Sequence, residues 1–521
     1  DEQHGRRRLD RRIRRQHDHR RHDRQDHVPR PGRFVRQRIL RGDEPDLSVP
    51  HEQQVRHGRG HPPDIAESAE FTSATEYTVK LKKGLKFANG DPLTSASVKF
   101  SFDRQLKIND PNGPASLLGN LASTEAPDPT TVVFKLKNGN DQIFPQILSS
   151  PPAGPIVDEK VFSADKVTDD DTIIKGKAFA GQYEITDYKK NQLIAYKPYA
   201  GYQGELGKPA NAGVNVKYFA DASNLKLAIG KGDIDVAFRS LSATDADDLA
   251  KNKKVKIVDG PPGGEIRYIV FNFNTMPYGA TTPEADPAKA QAVRQAAADL
   301  VDRAAIAKDV YKDTYSPLYS FVADGMEGAT QPLKSMYGDG SGGPSLDKAK
   351  KVLTDAGVTT PPVALSLQYN GDHYGPSSGD EYAAIKAQLE QGGLFTVNLQ
   401  STEWTQYSKD RTADVYPPAY QLGWFPDYSD ADNYLSPFFT TDNFLKNHYD
   451  NQAVNDLIVK SQTETDKDKR KADLAQIQDM VAKDLSTLPL LQGKQIAFTG
   501  TDVKGTTLDA SFKFRYAPLS K

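Results

Sequence analysis

Cysteine is absent from all 521 residues, which excludes disulfides, Cys-ligated zinc and thiol nucleophiles. Tryptophan occurs only twice and methionine four times. No run approaches the roughly 18–20 apolar residues that a membrane-spanning helix needs. Lysine is missing from the first 63 residues, which carry 17 Arg, whereas from Asp64 onward there are 42 Lys and 8 Arg. The same head has Phe34 as its only aromatic residue and holds eight of the ten His. Strings such as Arg6-Arg7-Arg8 and His17-Asp18-His19-Arg20 show neither helical nor strand periodicity. The head is therefore expected to lack ordered structure.

Three readings compete for it. A basic nucleic-acid arm is weakened by ten acidic residues among the 17 Arg, a net +7, because such arms usually mix Lys with Arg. A disordered tail is the second. The third is translation of GC-rich DNA in the wrong frame, where CGN and CAC codons flood the text with Arg and His. With synonymous codons freely chosen, the head read one nucleotide over becomes a Ser/Gly/Thr-rich linker, a strand and an apolar helix-like stretch. That reframed text ends in Arg-Pro just where ordinary sequence begins at Asp64, and it is the reading adopted for residues 1–63.

The body, residues 64–521, has 50 basic and 59 acidic side chains, a net charge of −9. This argues against nucleic acid or an anionic membrane surface as the main partner. Its length exceeds one ordinary domain, so two or three lobes are expected. The chain opens inside the head, so no leader is read from it, and composition leaves the compartment open.

Alternating Tyr77, Val79 and Leu81 predict a half-buried strand over 76–81, followed by a helix over 95–104 and a strand over 131–136. The Pro-rich stretch 145–155 reads as a surface connection. Strands are predicted at 182–187, 192–197 and 214–219, a short helix over 222–229, and a strand at 266–273 that is apolar nearly throughout. Beyond Pro287 the periodicity becomes helical, over about 288–311. Ser345 and Gly357 bracket a second helix as N-cap and C′ residue. Strands at 363–369, 394–400 and 419–424 then alternate with helices at 380–391 and 403–410, the signature of parallel βαβ units. Helices at 452–462 and 466–485 and strands near 488–498 complete an α/β chain with no solenoid repeat.

The segment 423–435, GWFPDYSDADNYL, follows the last of those strands and so belongs at the carboxyl end of the sheet, where open α/β sheets bind ligands. Trp424 and Phe425 offer flat apolar surface; Asp427, Asp430 and Asp432 offer acceptors for a cationic ligand group. The same carboxylates would equally cap turns in a surface loop. A calcium loop is a poor fit, since the Gly at position six and the Glu at position twelve are missing. GDGSGGP at 338–344 resembles a serine-protease motif, but an extra Gly interrupts it. It reads as a flexible loop, and only His373 and His448 remain in the body as bases. No P-loop, dinucleotide fingerprint, HExxH or GxSxG occurs, so no catalytic residue, metal site or cofactor is predicted. The alternative is a hydrolase using two of the three Asp residues as acid and base, for which adjacent loop positions give no separation or pKa argument.

PDIAESAEF at 63–71, followed by EYTVKLKKGLKFANGDPLTSASVKFSFDR at 76–104, resembles the signature of the oligopeptide- and dipeptide-binding proteins of bacterial ABC importers, extracellular solute-binding protein family five. GDIDV at 232–236, FNFN at 271–274, VRQA at 293–296 and SLDKAKKVLTDAG at 345–357 extend the resemblance over 62–521. GWFPDYSDADNYL matches the family's G-W-x-x-D-x-x-D-P motif.

The resemblance implies a two-lobed, type II periplasmic-binding-protein-like clamp with an extra domain inserted in the first lobe. Its expected layout is the head at 1–63, the inserted subdomain at 64–178, lobe I at 179–264, lobe II at 265–492 and a return to lobe I at 493–521. The chain would cross a hinge near 262–266 and again near 490–496. It implies a non-enzymatic, monomeric protein that captures a peptide between the lobes and delivers it to a membrane permease. Other family ligands (a metal chelate, a sugar, a polyamine) are the alternative. It also implies an extracytoplasmic protein tethered through a lipidated Cys upstream of residue 1. Asp427 would then pair with the peptide's amino group, Trp424 and Phe425 would shape the cleft, and Asn272 and Asn274 of the FNFN strand would be further ligand contacts. The chain departs from the pattern at FAGQY (179–183, G-T-G-P-Y in the family) and at Ala431 in place of Pro. Asp380 and Glu381 stand where dipeptide binders usually carry an Arg for the peptide carboxylate. That points to longer peptides or to a cationic ligand.

Overall fold

The structure, a computed structural model, describes residues 65–521 except 111–113, 150–154, 205, 220, 239–240, 413–414, 416–417 and 509–513, together with the backbone of Arg8–Leu9. The expectation for the head thus lies outside the described residues, Arg8–Leu9 apart.

The first unit is an antiparallel sheet of β1 (Ala66–Ser73), β2 (Glu76–Leu81), β3 (Leu121–Asp128) and β4 (Thr131–Leu136), in the order β1-β2-β4-β3. The alternation read at 76–81 places Tyr77, Val79 and Leu81 inward, opposite Phe134 and Val132 of β4. Helix α1 (Ser95–Ile108) covers that face with Val98 and Phe102, the latter edge-on to Phe134 at 5.0 Å. Its start is a reciprocal cap between Thr94 and Ser97. The Pro-rich stretch is not wholly a surface connection. Phe144–Ser149 is a helix whose Phe144, Ile147 and Leu148 enter this core. Asp141 caps it through the Ile143 and Phe144 amides, and Pro145 sits in the first turn, where its missing N–H is not needed.

The second unit holds β5 (Tyr183–Lys189), β6 (Leu193–Pro198) and β7 (Val214–Lys217). Arg8–Leu9 pair antiparallel with Asn215 and Val214 on the free edge of β7. Val157, Phe162, Ile173 and Ala178 pack with Ile185, Ile194 and Val216 of the second unit rather than with the first core. Near the division expected at 178 the two cores adjoin, since Ala180 packs in the first while Val157, Ala178 and Phe179 pack in the second.

Two strands lead into the third unit. β8 (Val236–Phe238) pairs with the far end of β14 (Thr487–Gly500), and β9 (Val255–Phe271) runs antiparallel to β14 from Val255↔Gly500 to Val270↔Thr487. One end of this ladder belongs to the cores containing Val255 and Ala497. The other belongs to the large core running from Ile266 to Leu491. The ladder slips in register around Asp259, Pro262 and Ile266, as expected where Pro261 and Pro262 have no N–H to donate. Gln492 holds this crossing: its amide donates to Gly263 O at 2.8 Å and accepts from Asp324 N at 2.8 Å.

The third unit follows the pattern read from the sequence. Helix α2 (Pro287–Leu300) is shorter than predicted, because Val301 turns extended and Asp302 caps a new turn through the Ala305 amide at 2.9 Å. β10 (Tyr315–Pro317) adds to β14, and α3 (Leu346–Asp355) starts at Ser345 as expected. The GDGSGGP loop before it is braced rather than loose, since Asp339 accepts from the Ser341 and Gly343 amides. The units β11 (Val363–Tyr369), α4 (Ser378–Glu390), β12 (Phe395–Ser401), α5 (Trp404–Thr412) and β13 (Ala419–Trp424) are parallel βαβ, with β11 between β12 and β13. β13 then pairs antiparallel with β9, Ile266 facing Trp424 and Phe271 facing Ala419. Helices α6 (Gln452–Thr463) and α7 (Lys467–Asp484) close the unit. No described helix is long and apolar enough to cross a membrane.

Candidate ligand site at the carboxyl edge of the third sheet

The loop after β13 is built largely from its own side chains. Asn433 accepts from the Trp424 indole N–H at 3.1 Å and from the Asp427 backbone N–H at 2.6 Å, which fixes where Asp427 stands. Asp430 caps the short 3₁₀ turn Ala431–Tyr434 and receives both guanidinium nitrogens of Arg470, at 3.0 and 2.8 Å. Asp432 is fully buried and accepts from Tyr428 Oη (2.7 Å), Ser436 Oγ (2.9 Å) and Gln462 Nε2 (3.1 Å). Burial, with Asp430 beside it, raises the Asp432 pKa, while those three donors work the other way. Two of the three motif carboxylates are thus structural. Asp427 is half-buried, and the loop sets its position through its backbone N–H.

Trp424 is 3 % exposed, edge-on to Phe438 at 4.8 Å and 5.5 Å from Phe444, so it supports the loop from beneath. Phe425 is half-buried beside Asp427. Tyr428 reaches out of the third unit altogether and joins the apolar core of the first. The Gln142 amide donates to Gln462 O at 3.0 Å across the same boundary. Tyr434 Oη donates to Gly264 O, tying the loop to the crossing of β9.

Asn272 and Asn274 are not brought to this place. Asn272 follows Phe271, which pairs with the first residue of β13, whereas Trp424 is the last. At ~3.4 Å per residue the two ends are about 17 Å apart. Asn272 is fully buried, and its Oδ1 accepts from the Asn274 and Thr275 amides at 2.8 and 3.3 Å, so it shapes a turn.

A second cluster at the carboxyl edge, on the face covered by α4, was not singled out from sequence. Arg267, opposite Gly423, is buried among tyrosines. Its Nε donates to Glu265 Oε1 (3.1 Å) and its terminal nitrogens to Tyr311 Oη (3.2 Å) and Tyr315 Oη (2.7 Å). The guanidinium lies over the Tyr315 ring at 4.6 Å and the Tyr374 ring at 5.5 Å. Tyr311 Oη passes a hydrogen bond on to Glu381 Oε2 at 2.9 Å, and Tyr315 Oη to Glu265 Oε1 at 3.1 Å. Gln421 Nε2 lies 3.4 Å from Glu381 Oε2 and 3.2 Å from Ser378 Oγ. Burial alone would pull the Arg267 pKa down, but Tyr315, Tyr311, Glu265 and Glu381 hold it well above its usual value. One sequence signal pointed here: EIRYIVF reads as a strand buried on both faces yet carries Glu265 and Arg267 two apart. Buried charges require partners.

Glu381 is 1 % exposed, and burial raises its pKa to about 7 against the opposing pull of Arg267 and Tyr311. In the unfolded chain it titrates near ~4.3, so between about pH 4.3 and 7 the folded state holds a proton the unfolded state has lost. Stability is therefore expected to fall as pH rises through that window, by on the order of 2–3 kcal/mol from this group. Denaturant unfolding of the wild type and Glu381→Gln at pH 5, 6, 7 and 8 isolates the effect: the two curves should converge at pH 5 and separate toward pH 8. Parallel curves would exclude it.

Among the described residues no group of His, Asp and Glu could hold a metal ion. Comparison with known proteins fits this architecture. The profile of bacterial extracellular solute-binding proteins, family 5, middle region, matches residues 62–446. The chain is 24 % identical over 449 residues to the probable D,D-dipeptide-binding periplasmic protein of Escherichia coli K12, covering 85 % of this chain and 81 % of that one. It is 23 % identical over 483 residues to a dipeptide-binding protein of Bacillus subtilis, covering 87 % and 82 %. An ABC transporter substrate-binding protein of Listeria monocytogenes superposes with a TM-score of 0.76 at 22 % identity, over 94 % of this chain and 93 % of that one.

Proposed function

Since the chain belongs to the bacterial extracellular solute-binding proteins of family 5, we propose that it captures peptides between its lobes and hands them to the permease of an ABC importer. Like the rest of its family it is a binding protein and not an enzyme. The single observation that carries the peptide reading is Asp427: a half-buried carboxylate of the G-W-x-x-D loop, positioned by Asn433 at the carboxyl edge of the sheet. A peptide's α-ammonium group would meet such a carboxylate in a charge-assisted hydrogen bond.

The two structural carboxylates support the same view. Asp430 is committed to Arg470, and Asp432 to Tyr428, Ser436 and Gln462, which engages both carboxylates within the loop's own support. Closure would bend the molecule at the β9–β14 crossing, where the ladder loses register and Gly264 touches the site loop. Isothermal titration of the full chain with di- to pentapeptides tests the reading. Micromolar or tighter binding is expected, and absence of binding to every length would overturn it. Extending the resemblance, the native protein works outside the cytoplasm on a lipid tether. Fractionation of the source cells should recover it with the membrane, and a purely cytosolic location would contradict this.

A further inference from the structure

We infer that Glu381 forms a second ligand subsite, one that takes a cationic side chain, lysine or arginine, of the bound peptide. The inference rests on the peptide reading above and names the substrate class that reading leaves open.

Three observations converge on it. The first is valence. Glu381 Oε2 is met by Tyr311 and Gln421, but Oε1, equally buried, has no hydrogen-bond partner among the described residues. A buried carboxylate oxygen left empty is costly, and filling it with a donor recovers that cost. The second is charge. The groups facing Glu381 are Arg267 and Glu265 from β9, Tyr311 from the turn before β10, Gln421 from β13, and Tyr382 beside it on α4, while Tyr315 of β10 bonds to Glu265. That set holds two carboxylates and one guanidinium, and the three guanidinium bonds go to Glu265, Tyr311 and Tyr315 rather than to Oε1. Once Glu381 is ionised, one further positive charge balances the cluster. The third is surroundings. Tyr374, Tyr311 and Tyr315 already present their faces to a cation in Arg267, and such walls favour a second one over a neutral guest.

The cluster also lies at the ligand end of the sheet. Arg267 pairs with Gly423, next to the start of the Asp427 loop, and Tyr374 Oη accepts from the Gly423 amide at 3.0 Å. Glu381, whose pKa burial raises to about 7, is part-protonated near neutrality and loses that proton when a cation arrives. Ligand binding would then release up to one proton.

The test is titration of the full chain with alanine tripeptides in which lysine or its uncharged isostere norleucine is placed at each position in turn. At one position lysine should bind at least tenfold more tightly than norleucine. In phosphate and Tris buffers at pH 6.5, the apparent enthalpies of that lysine peptide should differ by the buffer's protonation heat, and those of the norleucine peptide should not. Glu381→Gln should bind both peptides alike with no proton release. If norleucine peptides bind as well as lysine peptides at every position, the subsite falls while the peptide reading stands. If no tripeptide binds while another length does, the subsite falls and the peptide reading stands; if no peptide of any length binds, both fall together. The wild-type comparison decides the matter even should the variant fail to fold.

Discussion

Asp427→Ala is expected to weaken binding of a peptide with a free amino terminus by about tenfold to several hundredfold. A charge-assisted hydrogen bond in a desolvated cleft contributes roughly 1.5–3 kcal/mol, and stranding the ligand's ammonium group adds to the loss. Each ~1.4 kcal/mol is a factor of ten. The side chain is half-buried, and the loop around it is held by bonds of Asn433, Arg470 and Tyr434. N-acetylated peptides should bind the wild type weakly and lose little more in the variant. Asp430→Ala should behave differently, costing stability through the broken Arg470 pair and the lost cap more than affinity. Titration with matched free and acetylated peptides measures all of this, and equal binding of both forms by the wild type would remove Asp427 from the amine-anchoring role.

Arg267→Met should produce a large loss of stability in the third unit. It strands Glu265 and Glu381 in a site where both are at least nine-tenths buried, and it leaves Tyr311 and Tyr315 without their shared donor. Removing one partner of a buried ion pair costs about 3–5 kcal/mol, a large share of the ~5–15 kcal/mol by which domains are stable. Lys in its place should recover only part, because an ammonium group cannot span Glu265 and two tyrosine hydroxyls as the planar fork does. Combining Arg267→Met with Glu381→Gln should return a measurable fraction, since the two residues share one network and their effects are not additive. Denaturant unfolding of the single and double variants checks the pattern; a loss below about 1 kcal/mol for Arg267→Met would show that the network contributes little.

Local pattern alone determined most of the elements. The Tyr77-Val79-Leu81 alternation, the Ser345 cap and the strand–helix–strand rhythm from Val363 to Trp424 each fix a conformation within a window of a few residues. Side-chain periodicity and backbone capping act over that range. The motif 423–435 and its place at the carboxyl edge were legible for the same reason, as were the broad two-lobed class and the family. Where local signals competed, the reading erred: Asp302 restarted the helix predicted to run on to 311, and Asp141 with Pro145 made a helix of a presumed connection.

Tertiary structure alone decided which polar residues share a site. Asn272 and Asp427 are both neighbours of conspicuous motifs, yet antiparallel pairing of β9 with β13 sends them to opposite edges of one sheet. The same pairing, with α4 laid across it, gathers Glu265, Arg267, Tyr311, Tyr315 and Glu381 from four separate segments into one network. It also shows that Asp430 and Asp432 are occupied. The physical reason is that a hydrogen bond or an ion pair depends on distance in space, and strand register, helix placement and burial set that distance only once the chain has folded.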